Sequence, residues 1–295
     1  MEPTLTQPAL APVPARPRRR LTRRNFLKAA GAAAAAGVGT YAYGSLFESH
    51  RLVTENVTVN IPGLAATRHG CRIVQLSDFH VGRTSMKHIA HSLEVAVSLK
   101  PDFLVITGDF IDRTPEALPR FCELIAPIAR HTETLGCTGN HDYYAGHIDD
   151  VRHQITRAGV RILENESFQP RPGPGELSFT GFEDYWYRFR VNAIATAPAD
   201  ASTIVLSHNP DSYDDIAAGR WHLMLSGHTH GGQVRIPGIG PLILPVQHKE
   251  RAAGIFHLDP TQPHRMLYVS RGVGHLLRIR LFCPPEITHF TITCA

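Results

Sequence analysis

Five short fragments, Asp78-Phe79-His80, Gly108-Asp109, Gly139-Asn140-His141-Asp142, Ser207-His208 and Gly227-His228-Thr229-His230, follow one another along the chain, each just after a short apolar run. Their side chains are hard or borderline oxygen and nitrogen donors, suited to divalent cations without thiolate. Two residues apart at a strand end, Asp78 and His80 point the same way and can share one cation, and His228 and His230 repeat that geometry. Asp109 can bridge two ions, and Asn140 gives a neutral oxygen. Two divalent ions bring about +4 against two ligand carboxylates, so with a bridging hydroxide the centre stays near about +1. Such a centre suits an anionic phosphoryl group: the ions activate water, hold the non-bridging oxygens and support in-line displacement. His141, followed by Asp142, can donate a proton or hydrogen bond to the leaving oxygen. A lone Asp-x-His or Ser-His is ordinarily a surface loop, and it is the ordered recurrence after predicted strands that points to a metal site. Among the 18 histidines, bystanders are inevitable, and His88, His91, His131, His147 and His153 read as solvent-facing.

The elements that must carry these fragments alternate from about residue 52 as in an α/β domain. Strands are expected at Val57-Asn60, Arg72-Leu76, Phe103-Thr107 and Glu133-Thr138, and helices at Ser85 to Leu99, Pro115 to Ala129 and Ile148 to Ala158. Three strand-loop-helix units thus each release a ligand at the strand's carboxyl end, where open α/β sheets place their sites. The second half is richer in strands: Leu177-Thr180, Thr203-Leu206, His222-Leu225, Gln233-Ile236, Ile255-Leu258, Met266-Val269 and Ile287-Thr293.

The order D-x-H, G-D, G-N-H-D, H, G-H-x-H resembles the calcineurin-like metallophosphoesterase superfamily from about Asp78 to Gly232. The resemblance implies that Asp78, His80, Asp109 and His230 hold a first metal, and that Asp109, Asn140, His208 and His228 hold a second. It makes His141 the catalytic histidine, oriented by Asp142. The segments from His230 to Gly238 and from Tyr268 to Gly274, with Cys283-Pro284-Pro285-Glu286-Ile287-Thr288, look like the YkuE-like or YaeI-like branch of exported phosphodiesterases. The implied fold is α/β (α+β): a four-layer sandwich of two mixed β-sheets flanked by helices. The implied cofactor is a pair of divalent ions, and the donor set suits Mn, Fe(II) or Zn.

A chain of 295 residues, 43% hydrophobic and 19% charged, can bury a large core and is neither disordered nor fibrous. Residues 1–47 hold seven Lys/Arg against Glu2 alone, which leaves the body 23 basic and 25 acidic residues, a net of −2. The basic excess therefore belongs to the N-terminus, and no nucleic-acid binding is expected of the body. Thr22-Arg23-Arg24-Asn25-Phe26-Leu27-Lys28, followed by an Ala/Gly-rich stretch to about Phe47, resembles a twin-arginine export signal. The expected domains are residues 1–47, a signal or membrane anchor behind a Pro-rich leader, and residues 48–295, the catalytic domain. The expected location is outside the cytoplasm, with residues 29–47 as a candidate inner-membrane anchor and the twin-arginine translocation machinery as a partner. Five cysteines without C-x-x-C spacing indicate neither a thiolate zinc site nor a full disulfide framework, although one disulfide stays open.

Specificity is less legible. The Phe182-Glu183-Asp184-Tyr185-Trp186-Tyr187 cluster reads as packing of an outer loop, with a pocket wall as the competing reading. Arg83, Arg271 and Arg278 are weak candidates for a second phosphate contact. The function expected is hydrolysis of a phosphate diester, on a cell-envelope or lipid-linked substrate, by attack of a metal-bound hydroxide. The alternatives are a pyrophosphohydrolase of a nucleotide-linked lipid A precursor and a non-catalytic metal-binding scaffold.

Overall fold

In the computed structural model, residues 22–144 and 146–294 are described. The chain divides into two compact units, Met1–Tyr41 and Ala42–Ala295. Helix α1 (Arg23–Ala42) buries none of its residues, and its Thr22 hydroxyl accepts from Asn25 N at 3.3 Å, an N-terminal cap. Among the described residues no helix is long and apolar enough to cross a membrane; the Pro-rich leader lies outside them. Residues 42–47, which patterning groups with the leader, belong to the second unit. Gly44 is buried there, with Arg280 N donating to its carbonyl at 3.2 Å.

The second unit is built on β1 (Val53–Ile61), β2 (Cys71–Leu76), β3 (Phe103–Thr107), β4 (Glu133–Cys137), β5 (Arg161–Ile162), β6 (Glu166–Phe168) and β7 (Leu177–Gly181). It continues through β8 (Ser202–Leu206), β9 (Leu223–Ser226), β10 (Arg235–Ile236), β11 (Gly240–Pro241), β12 (Gly254–Phe256), β13 (Met266–Val269) and β14 (Glu286–Cys294). Helices α2 (Met86–Ser98), α3 (Leu118–Ala129), α4 (Asn140–Tyr144), α5 (Ile148–Arg157) and α6 (Ser212–Ile216) connect them. One six-stranded sheet has the order β1-β14-β2-β3-β4-β5, the other β12-β13-β9-β8-β7-β6, and β10-β11 form a separate hairpin. Both sheets are mixed: β2 to β5 run parallel while β14 opposes β2, and β13-β9-β8-β7 run parallel between antiparallel edges β12 and β6.

Alternation along the central strands explains the layers. In β3, Phe103 and Val105 join a core with Ile73, Leu135, Phe179, Ile204, Leu206 and Leu225, so these residues fill the space between the sheets. Leu104 and Ile106 face the other way, onto Ile89 and Leu93 of α2, Phe121 and Ile125 of α3 and Ile155 of α5. The second sheet repeats this, with Val205, Met224 and Leu267 turned outward onto Tyr213, Ile216 and Trp221. A strand buried on both faces needs an apolar residue at nearly every position, as Phe103–Thr107 shows. The result is the four-layer sandwich of two mixed sheets flanked by helices. Helix α3 starts three residues later than expected because Pro115 opens a turn closed by Leu118 N on its carbonyl at 2.9 Å. Truncating fully buried Phe179 to Ala, at the heart of the inter-sheet core, is expected to cost about 3–5 kcal/mol, read as a lower urea midpoint at unchanged slope.

Candidate metal centre

Parallel strands of both sheets end at one place. β2 is followed by Asp78 and His80, β3 by Asp109, β4 by Asn140, β8 by His208 and β9 by His228 and His230. Backbone hydrogen bonds lace these loops together: Asp78 N donates to Gly108 O at 3.1 Å, His80 N to Asp109 O at 3.1 Å and Gly227 N to His208 O at 3.0 Å. The close approach requires glycine at two of the turns. A Cβ on Gly139 would sit 2.5 Å from Asp109 N, and one on Gly108, whose φ is +86°, would sit 2.8 Å from Gly139 N. Five of the donor residues themselves hold left-handed backbone, Asp78 (φ 56°), His80 (45°), Asp109 (54°), His228 (68°) and His230 (51°). Each such residue costs on the order of 1–3 kcal/mol, and this kind of strain concentrates where function fixes side-chain direction.

All seven predicted ligands are brought together, and all are buried. His80 Nε2 lies 2.9 Å from His230 Nε2, and His230 Nε2 lies 3.3 Å from Asp78 Oδ1. Asp109 Oδ2 is 3.5 Å from His80 Nε2 and 3.2 Å from His208 Nε2, between the two groups. His228 Nδ1 is 3.3 Å from His208 Nε2. The outer nitrogens are used elsewhere: His208 Nδ1 meets Thr107 O at 2.7 Å and His228 Nε2 meets Pro245 O at 3.1 Å. A ring nitrogen that donates to a carbonyl fixes the tautomer whose other nitrogen carries an inward lone pair.

These residues fit metal ions. Asn140 Oδ1 is buried without a hydrogen-bond partner while its amide Nδ2 donates to Tyr144 OH at 2.8 Å, the orientation that presents the carbonyl oxygen. Asp78, His80 and His230 converge in one triad, and Asp78, Asp109 and His208 in another. Burial lowers His80 to about 3, and burial together with the charge of His208 lowers His228 to about 3, so both rings are neutral ligands at pH 7. Burial, with His80 next to it, also pushes His230 well down. Burial would lower His208 as well, but the Asp109 carboxylate overrides it and raises the ring to about 10. Burial opposes ionisation of Asp109, yet His208 and the other imidazoles hold it far below the usual carboxylate range. Burial raises Asp78 to about 6 against the pull of His208. A metal-free centre thus keeps one imidazolium–carboxylate pair, and cation binding must displace the His208 proton.

His141 sits at the rim, and the residue that orients it is Asp112 rather than Asp142. His141 Nδ1 meets Asp112 O at 2.8 Å and lies 3.5 Å from its carboxylate. The carboxylate of Asp142 is turned inward, accepting from Gly139 N at 2.9 Å and Ile111 N at 3.1 Å. It pins the turn that presents Asn140 and His141, and burial followed by the charge of Asp109 raises it to about 7. Asp112, which the motif reading omits, also lies 3.7 Å from His80 Nδ1 and 2.9 Å from Arg83 Nε; its spacing three residues after Asp109 is the one local signal for it. Trp186 packs edge-on against His228 at 4.8 Å between ring centroids, and Tyr187 stacks on Tyr143 at 4.6 Å. Trp186, Tyr187 and Tyr144 are each about half exposed, so the aromatic cluster stands at the rim of the centre and is not simply packing of an outer loop.

Other expectations change too. His88 is buried, with Nε2 3.0 Å from Val273 O, because the loop after β13 folds over the first turn of α2. Arg271 is occupied by Glu55 and Glu286. All five cysteines are free.

The calcineurin-like phosphoesterase family model matches residues 71–232, more than half of the chain. The chain belongs to this family, and it is a hydrolase of phosphoric esters. It is 29% identical to phosphodiesterase YaeI of Escherichia coli, over 91% of this chain and 98% of the relative. It is 28% identical to the uncharacterized metallophosphoesterase YkuE of Bacillus subtilis, over 93% and 98%. It is also 28% identical to the UDP-2,3-diacylglucosamine pyrophosphatase LpxG of Chlamydia trachomatis, over 86% and 93%. A cation held by these donors stabilises the folded state by mass action, so chelator treatment is expected to lower the melting temperature by at least about 5 °C, with recovery on adding back a divalent ion. An unchanged melting curve would contradict the ligand assignment.

Proposed function

We propose that the chain is a two-metal phosphodiesterase acting outside the cytoplasm on a cell-envelope or lipid-linked phosphate. The observation that carries this reading is the convergence of Asp78, His80, Asp109, His208, His228 and His230 beneath a rim histidine, with Asn140 on the turn that His141 N ties to Asp109. Asp78, His80, Asp109 and His230 are assigned to one ion and Asp109, Asn140, His208 and His228 to the other. When bound, such ions activate water and polarise the phosphoryl oxygens.

The protein's own residues do the remaining work. Asp142 fixes the Gly139–His141 turn through two backbone N–H groups, and Asp109 Oδ1 accepts from His141 N at 2.8 Å, tying the rim histidine to the bridging carboxylate. Because Asp112 engages Nδ1 of His141, Nε2 is the nitrogen left to meet the leaving oxygen. The half-exposed Trp186, Tyr187 and Tyr144 offer a wall for the second ester group, which a monoester lacks. The name of YaeI supports the diester, while the name of LpxG supports a pyrophosphate bond as the second reading. A non-catalytic scaffold has no need of His141 held on Asp112. The Arg23-Arg24 pair before an Ala/Gly-rich helix supports export by the twin-arginine route.

Replacing His141 by Ala is expected to lower kcat for bis(4-nitrophenyl) phosphate by about 10²- to 10⁴-fold with metal content unchanged. The same assay over a monoester, a diester and a nucleoside diphosphate ester tests the bond assignment. The diester is expected to turn over fastest, and preference for the diphosphate ester would replace this reading with the pyrophosphatase one.

A further inference from the structure

Seven large apolar side chains of the second unit, Leu46, Phe47, Ile239, Leu242, Ile243, Leu277 and Phe282, stand 59–80% exposed, and among the described residues of that unit no other exceeds 51%. They sit on three segments that are bonded to one another. Arg280 N donates to Gly44 O at 3.2 Å, Leu281 N to Gln233 O at 2.8 Å and Arg235 N to Leu281 O at 2.9 Å. The Gln233 side chain adds to this, with Nε2 donating to Leu277 O at 2.8 Å and Oε1 accepting from Leu276 N at 2.8 Å. Exposed apolar residues scattered singly need no explanation, but exposure gathered in one region marks an interaction site. The β10–β11 hairpin projects from this region: a Cβ added to Gly238 or Gly240, on either side of Ile239, would meet no atom within 4 Å. Behind the hairpin Leu244 and Val246 already pack with Ala252, so Leu242 and Ile243 are left outside a loop that has a core of its own. That loop begins and ends at the metal centre, because Gln233 N donates to His230 O at 3.1 Å and Pro245 O meets His228 Nε2 at 3.1 Å.

The charge on these segments has one sign. Residues 233–249 and 275–283 contain no acidic residue, in a body whose net charge is −2. Arg278 is exposed and Arg235 half-buried, and neither enters an ion pair among the described residues. Glu48, the acid that follows the first segment, is buried and accepts from Cys283 N at 2.8 Å. We propose that this face docks on the surface of an anionic lipid bilayer, with Ile239, Ile243, Leu277 and Phe282 entering the boundary between headgroups and acyl chains and Arg235 and Arg278 meeting lipid phosphates. An aliphatic tip that touches nothing suits a fluid interface that closes around it, and the arginines suit negative headgroups. A second copy of the chain on the same face would instead set like charges against one another. The second unit also begins here, at Ala42, and the residues before it carry seven Lys/Arg against Glu2 alone, the same sign of charge. Docking sets the metal centre beside the membrane. Presentation of a lipid-borne phosphate to that centre rests on the phosphodiesterase reading; the docking face itself does not.

The test is flotation of the metal-loaded full chain with vesicles of phosphatidylglycerol or of phosphatidylcholine, comparing the wild type with Ile239→Asp/Ile243→Asp and with Arg278→Glu. All three positions are exposed, and hydrolysis of a soluble diester, measured beside flotation, is expected to stay at the wild-type rate. The wild type is expected to partition onto phosphatidylglycerol at least about tenfold more than onto phosphatidylcholine, and the double variant to lose at least about tenfold of that binding. Arg278→Glu is expected to bind less at low salt, with the difference closing as salt rises. Undiminished binding by the double variant would overturn the face and leave attachment to the segment before Ala42. Equal binding to both lipids would overturn the part given to the arginines. Concentration-dependent dimers that the double variant abolishes, with no vesicle binding, would replace the bilayer by a second copy. Vesicle binding in a protein that hydrolyses no diester would remove the phosphodiesterase reading and leave the docking face standing, whereas diester hydrolysis without vesicle binding would do the reverse.

Discussion

Two buried imidazole nitrogens 2.9 Å apart, His80 Nε2 and His230 Nε2, state the constraint on which the rest of the molecule depends: polar donors gathered out of water must be held in place and partnered. Burying several imidazoles, two carboxylates and the unpartnered Asn140 oxygen together is costly. The fold answers that constraint at several levels. Two sheets aim the ends of their parallel strands at one point, left-handed backbone at five donor residues turns the side chains inward, and glycines let the turns touch. Strain of this kind persists only where the surroundings over-determine it, and here they do, through the backbone bonds that lace the loops and the inter-sheet core behind them.

The electrostatics follow from the same burial. Burial keeps His80, His228 and His230 neutral, ready to act as ligands, while Asp109 and His208 form an imidazolium–carboxylate pair. Around it, carbonyls of Thr107 and Pro245 and the Asp112 peptide set ring orientation. The rim is of another character, with the half-exposed Trp186, Tyr187 and Tyr144 beside the buried donors.

Much of this was legible in the chain, and the reasons are physical. Strands buried on both faces announce themselves as unbroken apolar runs, so Phe103–Thr107 and Met266–Val269 fall where expected, and Asp109 is read from the end of the first. The two- and three-residue strands β5 and β6 carry no periodicity to detect. Residues 42–47 look like the end of an apolar leader, and tertiary contact, with Arg280 N on Gly44 O, draws them into the second unit. The contact of Asp112 with His141 is defined by what folds against it, whereas Asp142, adjacent to His141 in sequence, reaches it through the turn whose Gly139 N donates to its carboxylate. Trp186 and Tyr187 are ordinary aromatic residues until the loop after β7 places them against His228 and Tyr143.

Whether these donors hold two ions is tested most directly by metal analysis of the full chain purified without chelator, with Asp109→Ala measured beside the wild type. About two divalent ions per chain are expected, falling below about one in the variant that lacks the bridge. A wild-type protein that hydrolyses a phosphodiester with no stoichiometric metal, or a variant that retains the full complement, would contradict two-ion binding.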